Sequence, residues 1–512
     1  MFVIRMRRRH CKSMLSVPLS CWNRSWCLWN APTIVVITYI IAIMLTTTTT
    51  TTTMVMMTTT MNASSSGIVF VRSMTSTASA VGSKTNSRRV AVVGGGLAGL
   101  SVAHHLIEKS SRQKDGHNDP IKELDITIFD RCAGPGLGGA SAVAGGLLHP
   151  LSPHGKLVHL GLEGLASSSR LIDAASKFNS QTILRDKLYR IATDSKQVET
   201  LERTARELPD IAKWCEPSTL KSLVTIDSGV GHDVPGYDEE DVLGALVLQS
   251  GCKVIHVPSY LGGLWRSCQS NIKGGEAKWH HVQEINDSDN SIEWAEQVED
   301  FDCVIFAAGS GLFQSNPIID EKMLPIQLVR GQSIEMTTRT STLNDALLSG
   351  KYISPLPGKN RVLVGATHEF KPDALKADDV KQELKDRSYS FASFLWDGCG
   401  DEENVKGVSA DQPSSTTIVD RITSGYRVQS NRGNHGRQPI IGRIETPYHS
   451  NSWIFTGLSS RGLLYHGIYG DMLSEMILSS FGSLDGRTVP NDDDLIERYE
   501  LDWWRRCPRK TS

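Results

Sequence analysis

The chain has 512 residues, a formal net charge of −2 and 39% hydrophobic residues, enough for two domains plus additional sequence. Nine of its 54 Lys and Arg residues and none of its 56 Asp and Glu residues precede residue 89. The body beyond that point is therefore acidic, 45 against 56 or −11, which argues against binding to nucleic acid or an anionic membrane. Ten cysteines include no C-x-x-C pair, so reduced structural thiols are expected, with neither a disulfide framework nor a metal site.

Residues 1–88 read as a disordered leader. A basic start precedes an apolar run at 34–45, a threonine homopolymer at 46–53 and Ser/Thr-rich sequence up to Ser87. The apolar run is short against the roughly 20 residues of a membrane span. It suits a signal segment followed by an acid-poor transit-like stretch, the two-part presequence pattern of algal plastids. A retained membrane anchor and mitochondrial targeting are the alternative readings.

The chemistry begins at RRVAVVGGGLAGLSVAHHL, residues 88–106. A β-branched run predicts a buried strand, and Leu97, Leu100, Val102, Ala103 and Leu106 predict a helix after it. Between them lies G-x-G-x-x-G, with Gly94 for the turn, Gly96 for backbone approach to phosphate and Gly99 for helix–strand contact. Leu97 and Ala98 open the helix, whose free N–H groups suit a pyrophosphate. A second apolar strand at 126–129 ends at Asp130, placed to accept hydrogen bonds from ribose hydroxyls. The spacing exceeds the usual gap of about 20 residues, and the polar stretch 110–122 reads as a surface insertion.

Next comes GPGLGGASAVAGGLLHP, residues 134–150. Small residues at this density suit a backbone lying flat against a planar ligand. Arg131, Gly139, Ala140, Ser141, Gly145, Gly146 and Leu147 join the candidate cofactor site, with Ser141 near phosphate. His149 and His154 read as structural. Residues 166–251 look helix-rich and polar; a helix is expected near 260–269, then strands reaching Ala308 and Gly309, with Cys303 in the core. Residues 322–423 carry the strands of an antiparallel sheet, and 493–510 suggest a closing helix bearing Trp503 and Trp504.

Several of these segments, in this order, resemble the D-amino-acid oxidase superfamily of FAD enzymes. The resemblance rests on GGASAVAGGLLHP, DCVIFAAGSG (302–311), PIQLVRGQS (325–333), YISPLPGKNRVLVGATHE (352–369), SGYRV (424–428), RQPIIG (437–442) and WIFTGLSSRGLLYHG (453–467). It covers residues 89 to about 480 and implies an α/β fold. A Rossmann-like FAD-binding domain at 89–165, 252–321 and 424–482 is interleaved with an α+β substrate domain at 166–251 and 322–423. The tail is 483–512.

The resemblance implies FAD as cofactor and dehydrogenation of a small amine or amino acid. Hydride passes to flavin N5, the imine then hydrolyses, and dioxygen or a quinone takes the electrons. Arg427 matches the family's carboxylate-binding arginine, although Val428 stands where the pattern often has proline. A guanidinium holds a carboxylate through two parallel hydrogen bonds. Tyr352 is placed as a wall of the substrate pocket. Gly457, Ser460, Arg461, Gly462 and Leu463 open a helix facing the cofactor; Arg330 reads as a strand anchor and His466 as a packed helix residue. Two other readings are compatible with the resemblance: oxidation of a carboxymethylaminomethyl group on wobble uridine, which the acidic body disfavours, and a flavin-binding scaffold without turnover.

Overall fold

The computed structural model describes residues 87–112, 123–226, 241–282, 297–314, 317–338, 341–397, 399–400, 417–484 and 492–507. The apolar run, the polythreonine and the targeting segments lie outside the described residues. Among the described residues no helix is long and apolar enough to cross a membrane.

The β-branched run forms the strand Ser87–Val93, so Ser87 and Arg88, assigned to the leader from sequence, belong to the fold. It lies within a six-stranded sheet, between Glu123–Asp130 and Cys303–Phe306, with both pairings parallel. Ala277–His281 and Ser452–Thr456 extend the parallel set, and Ile440–Arg443 closes one edge antiparallel. Helix Leu97–Arg112 takes in the first three residues of the stretch read as an insertion, Ser110, Ser111 and Arg112; residues 113–122 lie outside the described set. On one face of the sheet, four helices (Leu97–Arg112, Gly161–Ser176, Val257–Asn271 and Gly462–Leu484) pack around a core containing Leu100, Leu106, Tyr260, Leu473 and Phe481. Cys303 is fully buried there, where burial raises its thiol pKa. The other face is covered by Phe301, Phe313, Ile326, Trp503 and Trp504.

A nine-stranded sheet stands beside the first. Its order runs Cys399–Gly400, Thr417–Ser430, Ile326–Thr338, Arg361–Gly365, Lys351–Pro355, Ala346–Ser349, Leu188–Ala192, Gly244–Leu248, Ala212–Cys215. Most pairings are antiparallel; Ala346–Ser349 with Leu188–Ala192 and Cys399–Gly400 with Thr417–Ser430 are parallel.

Three expectations need correction. Residues 166–251 contribute three strands to this sheet as well as helices. The expected boundary at 423–424 falls inside one continuous strand, Thr417–Ser430, which pairs with Ile326–Thr338 along its length. The expected closing helix at 493–510 is shorter, Asp492–Tyr499, and Trp503 and Trp504 lie beyond it in a single 3-10 turn. The Trp503 and Trp504 indoles donate to the Pro439 and Ile441 carbonyls at 3.2 and 3.1 Å, which fastens the segment to the edge strand of the six-stranded sheet.

Candidate active site

A cavity of about 1410 Å³ opens beyond the carboxyl ends of the parallel strands, where open α/β sheets bind ligands. Ligand pockets commonly enclose about 300–1,000 Å³, so this one has room for a dinucleotide and a small substrate together. Of the cofactor residues expected from sequence, Gly99 alone does not line it.

Gly99 works from behind the wall. A Cβ there would stand 1.9 Å from the Gly94 carbonyl oxygen, so only glycine lets the helix start this close to the turn. Gly94 has φ +106°, and its own Cβ would meet the Ala308 backbone at 2.4 Å. Two backbone conditions thus hold the turn that a pyrophosphate needs.

Asp130 braces this turn. One of its carboxylate oxygens accepts from Gly95 N–H and the other from Cys132 N–H, both at 2.7 Å. Ser141 Oγ accepts from the Leu97 N–H at 3.3 Å, tying the second glycine-rich segment to the first helix. Both side chains still border the cavity, and each carboxylate oxygen keeps acceptor capacity for a ribose hydroxyl. The backbone cradle, the bordering acid and the volume fit FAD.

Gly462–Leu484 begins beside Leu97 of the first helix, where a Cβ at Gly462 would stand 3.0 Å from the Leu97 side chain, with Gly457, Ser460, Arg461 and Leu463 on the cavity wall. His466 lies deeper, fully buried, with Nε2 2.6 Å from the Tyr260 hydroxyl. Burial lowers its pKa to about 3, so it is a neutral packing residue. His149 borders the cavity and is lowered to about 3 by burial and by the nearby Arg190 and Arg461 guanidiniums. A neutral imidazole held so low is a poor base near pH 7. Arg330 stays off the wall, bonded to the Pro372 carbonyl at 2.5 Å and to the Tyr426 hydroxyl, 3.7 Å from Glu369; it anchors its strand.

The nine-stranded sheet brings Arg427 and Tyr352 to the same cavity. Arg427 donates one hydrogen bond, to the Thr367 carbonyl at 2.8 Å. A Cβ at Gly331 would stand 2.7 Å from Arg427 Nη2, so the glycine of the R-G-Q strand makes room for the guanidinium. Burial lowers the Arg427 pKa somewhat, without threatening its charge at neutral pH. Tyr352 lies across from Ser333, oxygen to oxygen 3.3 Å, and burial raises its phenol pKa.

The sequence reading missed Lys351, His368, Arg387 and Arg190, all of which border the cavity. Arg190 had a legible signal, a charged residue inside the apolar strand LYRIA. Its guanidinium donates to the Pro153 carbonyl at 2.8 Å while Nε has no partner; burial and Arg461 lower its pKa to about 10. Away from the cavity, His104, His105 and Glu108 bring ligand-type atoms within 4.8 Å of one another, beside an Asp471 carboxylate that Lys109 holds at 2.9 Å.

Comparison with known proteins adds to this geometry. Residues 89–476 match the family model described as FAD dependent oxidoreductase. Three solved structures share the fold. Glycine oxidase from Bacillus cereus ATCC 14579 aligns at 18% identity over 79% of this chain and 100% of its own, with a TM-score of 0.52. Iminodiacetate oxidase from Chelativorans sp. BNC1 aligns at 19% identity over 80% and 98%, TM-score 0.54, and L-proline dehydrogenase from P. horikoshii at 15% over 82% and 96%, TM-score 0.54. A comparison with curated proteins returned no match.

Proposed function

The chain belongs to the FAD-dependent oxidoreductase family, and from that premise we propose that it dehydrogenates a small amine or amino acid whose carboxylate is held by Arg427. One observation carries this reading. A half-buried guanidinium, with a single backbone acceptor and no acidic partner among the described residues, faces the same cavity as the glycine turn. The structural relatives named above as oxidases and a dehydrogenase of amino or imino acids support it.

When bound, the flavin supplies the two-electron acceptor for the C–H bond beside the nitrogen. The chain's own residues supply position. Arg427 fixes the carboxylate through its free N–H groups, and Tyr352 limits where the remainder of the substrate can lie. Fixing a substrate in a reactive pose replaces acid–base machinery as the main contribution of the protein. His149, held at about 3 by burial and two guanidiniums, does not serve as a base near pH 7, and an amine that arrives neutral needs none. Dioxygen or a quinone would take the electrons in the end.

Anaerobic bleaching of the flavin across D-amino acids, glycine, N-methyl amino acids and polyamines tests the proposal without knowledge of the acceptor. Bleaching by carboxylated amines is expected. Bleaching by none of the panel, or only by amines lacking a carboxylate, overturns it.

A further inference from the structure

The body of the chain is acidic, yet seven Lys and Arg residues border the cavity against two carboxylates, Asp130 and Asp194. Those two acids are engaged locally. Asp130 holds the glycine turn, and Asp194 caps its helix by accepting from Gln197 N–H at 2.8 Å. Basic side chains thus outnumber acidic ones among the described residues of the cavity wall.

At the Arg427 end the imbalance is concentrated. Lys351 has a side chain only 3% exposed, and its ammonium contacts the Ala366 carbonyl and Glu383 Oε1, both at 2.7 Å. One of its three donors remains. Arg387, exposed at the cavity wall just after helix Ala377–Asp386, has no acidic partner among the described residues. Lys351 lies within electrostatic range of both Arg387 and Arg427, and burial together with these guanidiniums lowers its pKa against the pull of Glu383. His368, facing Arg427, Lys351 and Arg437 as well as Glu383, is lowered by burial first and then by those cations. Arg427, Lys351 and Arg387 thus bring three basic groups to this end of the cavity, with Glu383 as the acid in contact with Lys351.

A single substrate carboxylate on Arg427 leaves Lys351 with only Glu383 and Arg387 with no acidic partner among the described residues, and a second ligand carboxylate would pair with the donors that remain. We propose that the cavity takes an amine bearing two carboxylates, one beside the reacting carbon on Arg427 and the second between Arg387 and Lys351. This rests on the amine-dehydrogenase reading and narrows its substrate class.

The test uses the flavin-loaded full chain. Anaerobic reduction is followed with monocarboxylic amines (glycine, N-methylglycine, both alanine enantiomers) and dicarboxylic ones (iminodiacetate and both enantiomers of aspartate and glutamate). At least one dicarboxylic amine is expected to exceed every monocarboxylic one in kcat/KM by tenfold or more. Arg387→Ala should shrink that preference roughly fivefold, the scale of one exposed ion pair. Arg387→Glu should shrink it further through repulsion, and Arg387→Lys should largely preserve it. Equal or better use of monocarboxylic amines, or a preference unmoved by Arg387→Glu, overturns this inference while leaving the dehydrogenase reading intact. Flavin bleached by neither class overturns both.

Discussion

The two sheets that meet at the cavity build their parts of the site by different means. The six-stranded sheet presents backbone: its ligand-facing groups are the amides of a turn that Gly94 and Gly99 keep tight, braced by Asp130. The nine-stranded sheet presents side chains, with Arg427 from strand Thr417–Ser430 and Lys351 and Tyr352 from strand Lys351–Pro355, distant in sequence. A backbone cradle is hard to retune without unfolding it. A side-chain wall can be rewritten one residue at a time, which suits a fold that accepts different substrates over one cofactor.

The sharpest way to break this contrast is to put a side chain into the cradle. Gly99→Val places atoms where the Gly94 carbonyl stands; overpacking of this kind costs about 3 kcal/mol or more. The purified variant should contain little or no flavin by absorbance after denaturation. Full flavin occupancy in a folded variant contradicts a backbone-built site.

Arg427→Leu is the counterpart on the other sheet. It should raise KM for carboxylated amines by roughly a hundredfold, the scale of a lost charge-assisted hydrogen-bond pair of about 3 kcal/mol, while flavin content stays normal. Steady-state kinetics beside a flavin assay separate the two outcomes.

Acid should destabilise the region of the six-stranded sheet through its buried histidines. His104, lowered to about 4, and His466, lowered to about 3, remain neutral in the folded chain where the unfolded chain takes up protons. Their contribution is fully present above the ordinary histidine pKa of about 6.5 and declines as pH falls from there toward the folded values. Two such groups give a slope of about 3 kcal/mol per pH unit near pH 5. Urea unfolding at several pH values measures it; with both histidines replaced by Gln, much of the slope should disappear.

The smallest effect is expected at Tyr352→Phe. The ring that fills the wall remains and only the contact with Ser333 is lost, so KM should move by no more than about fivefold, the scale of one neutral hydrogen bond near 1 kcal/mol. A larger rise in KM assigns the hydroxyl a direct part in substrate binding.

The same contrast explains what the sequence made legible. The strand, glycine turn, helix and second strand follow one another in the chain, and each local preference agrees with the final structure, which made most of the cavity-lining residues between Gly94 and Leu147 readable. Arg427 was readable because it carries a family motif. Lys351 and Arg387 were not, because their importance comes from a chance of topology that brings separated segments together. Strand Thr417–Ser430 crosses an expected domain boundary because its long pairing with Ile326–Thr338 extends past the point where the motif begins. The two tryptophans near the C-terminus looked like part of a charged helix until their indoles were seen to satisfy carbonyls of an edge strand.

The central claim is that cradle and carboxylate anchor share one chamber. A titration of flavin-loaded protein with simple unreactive carboxylates, set against their neutral amides, tests it most directly. A saturable change in the flavin absorption spectrum with the carboxylate and none with the amide is predicted. No spectral change, or the same change with both, contradicts it.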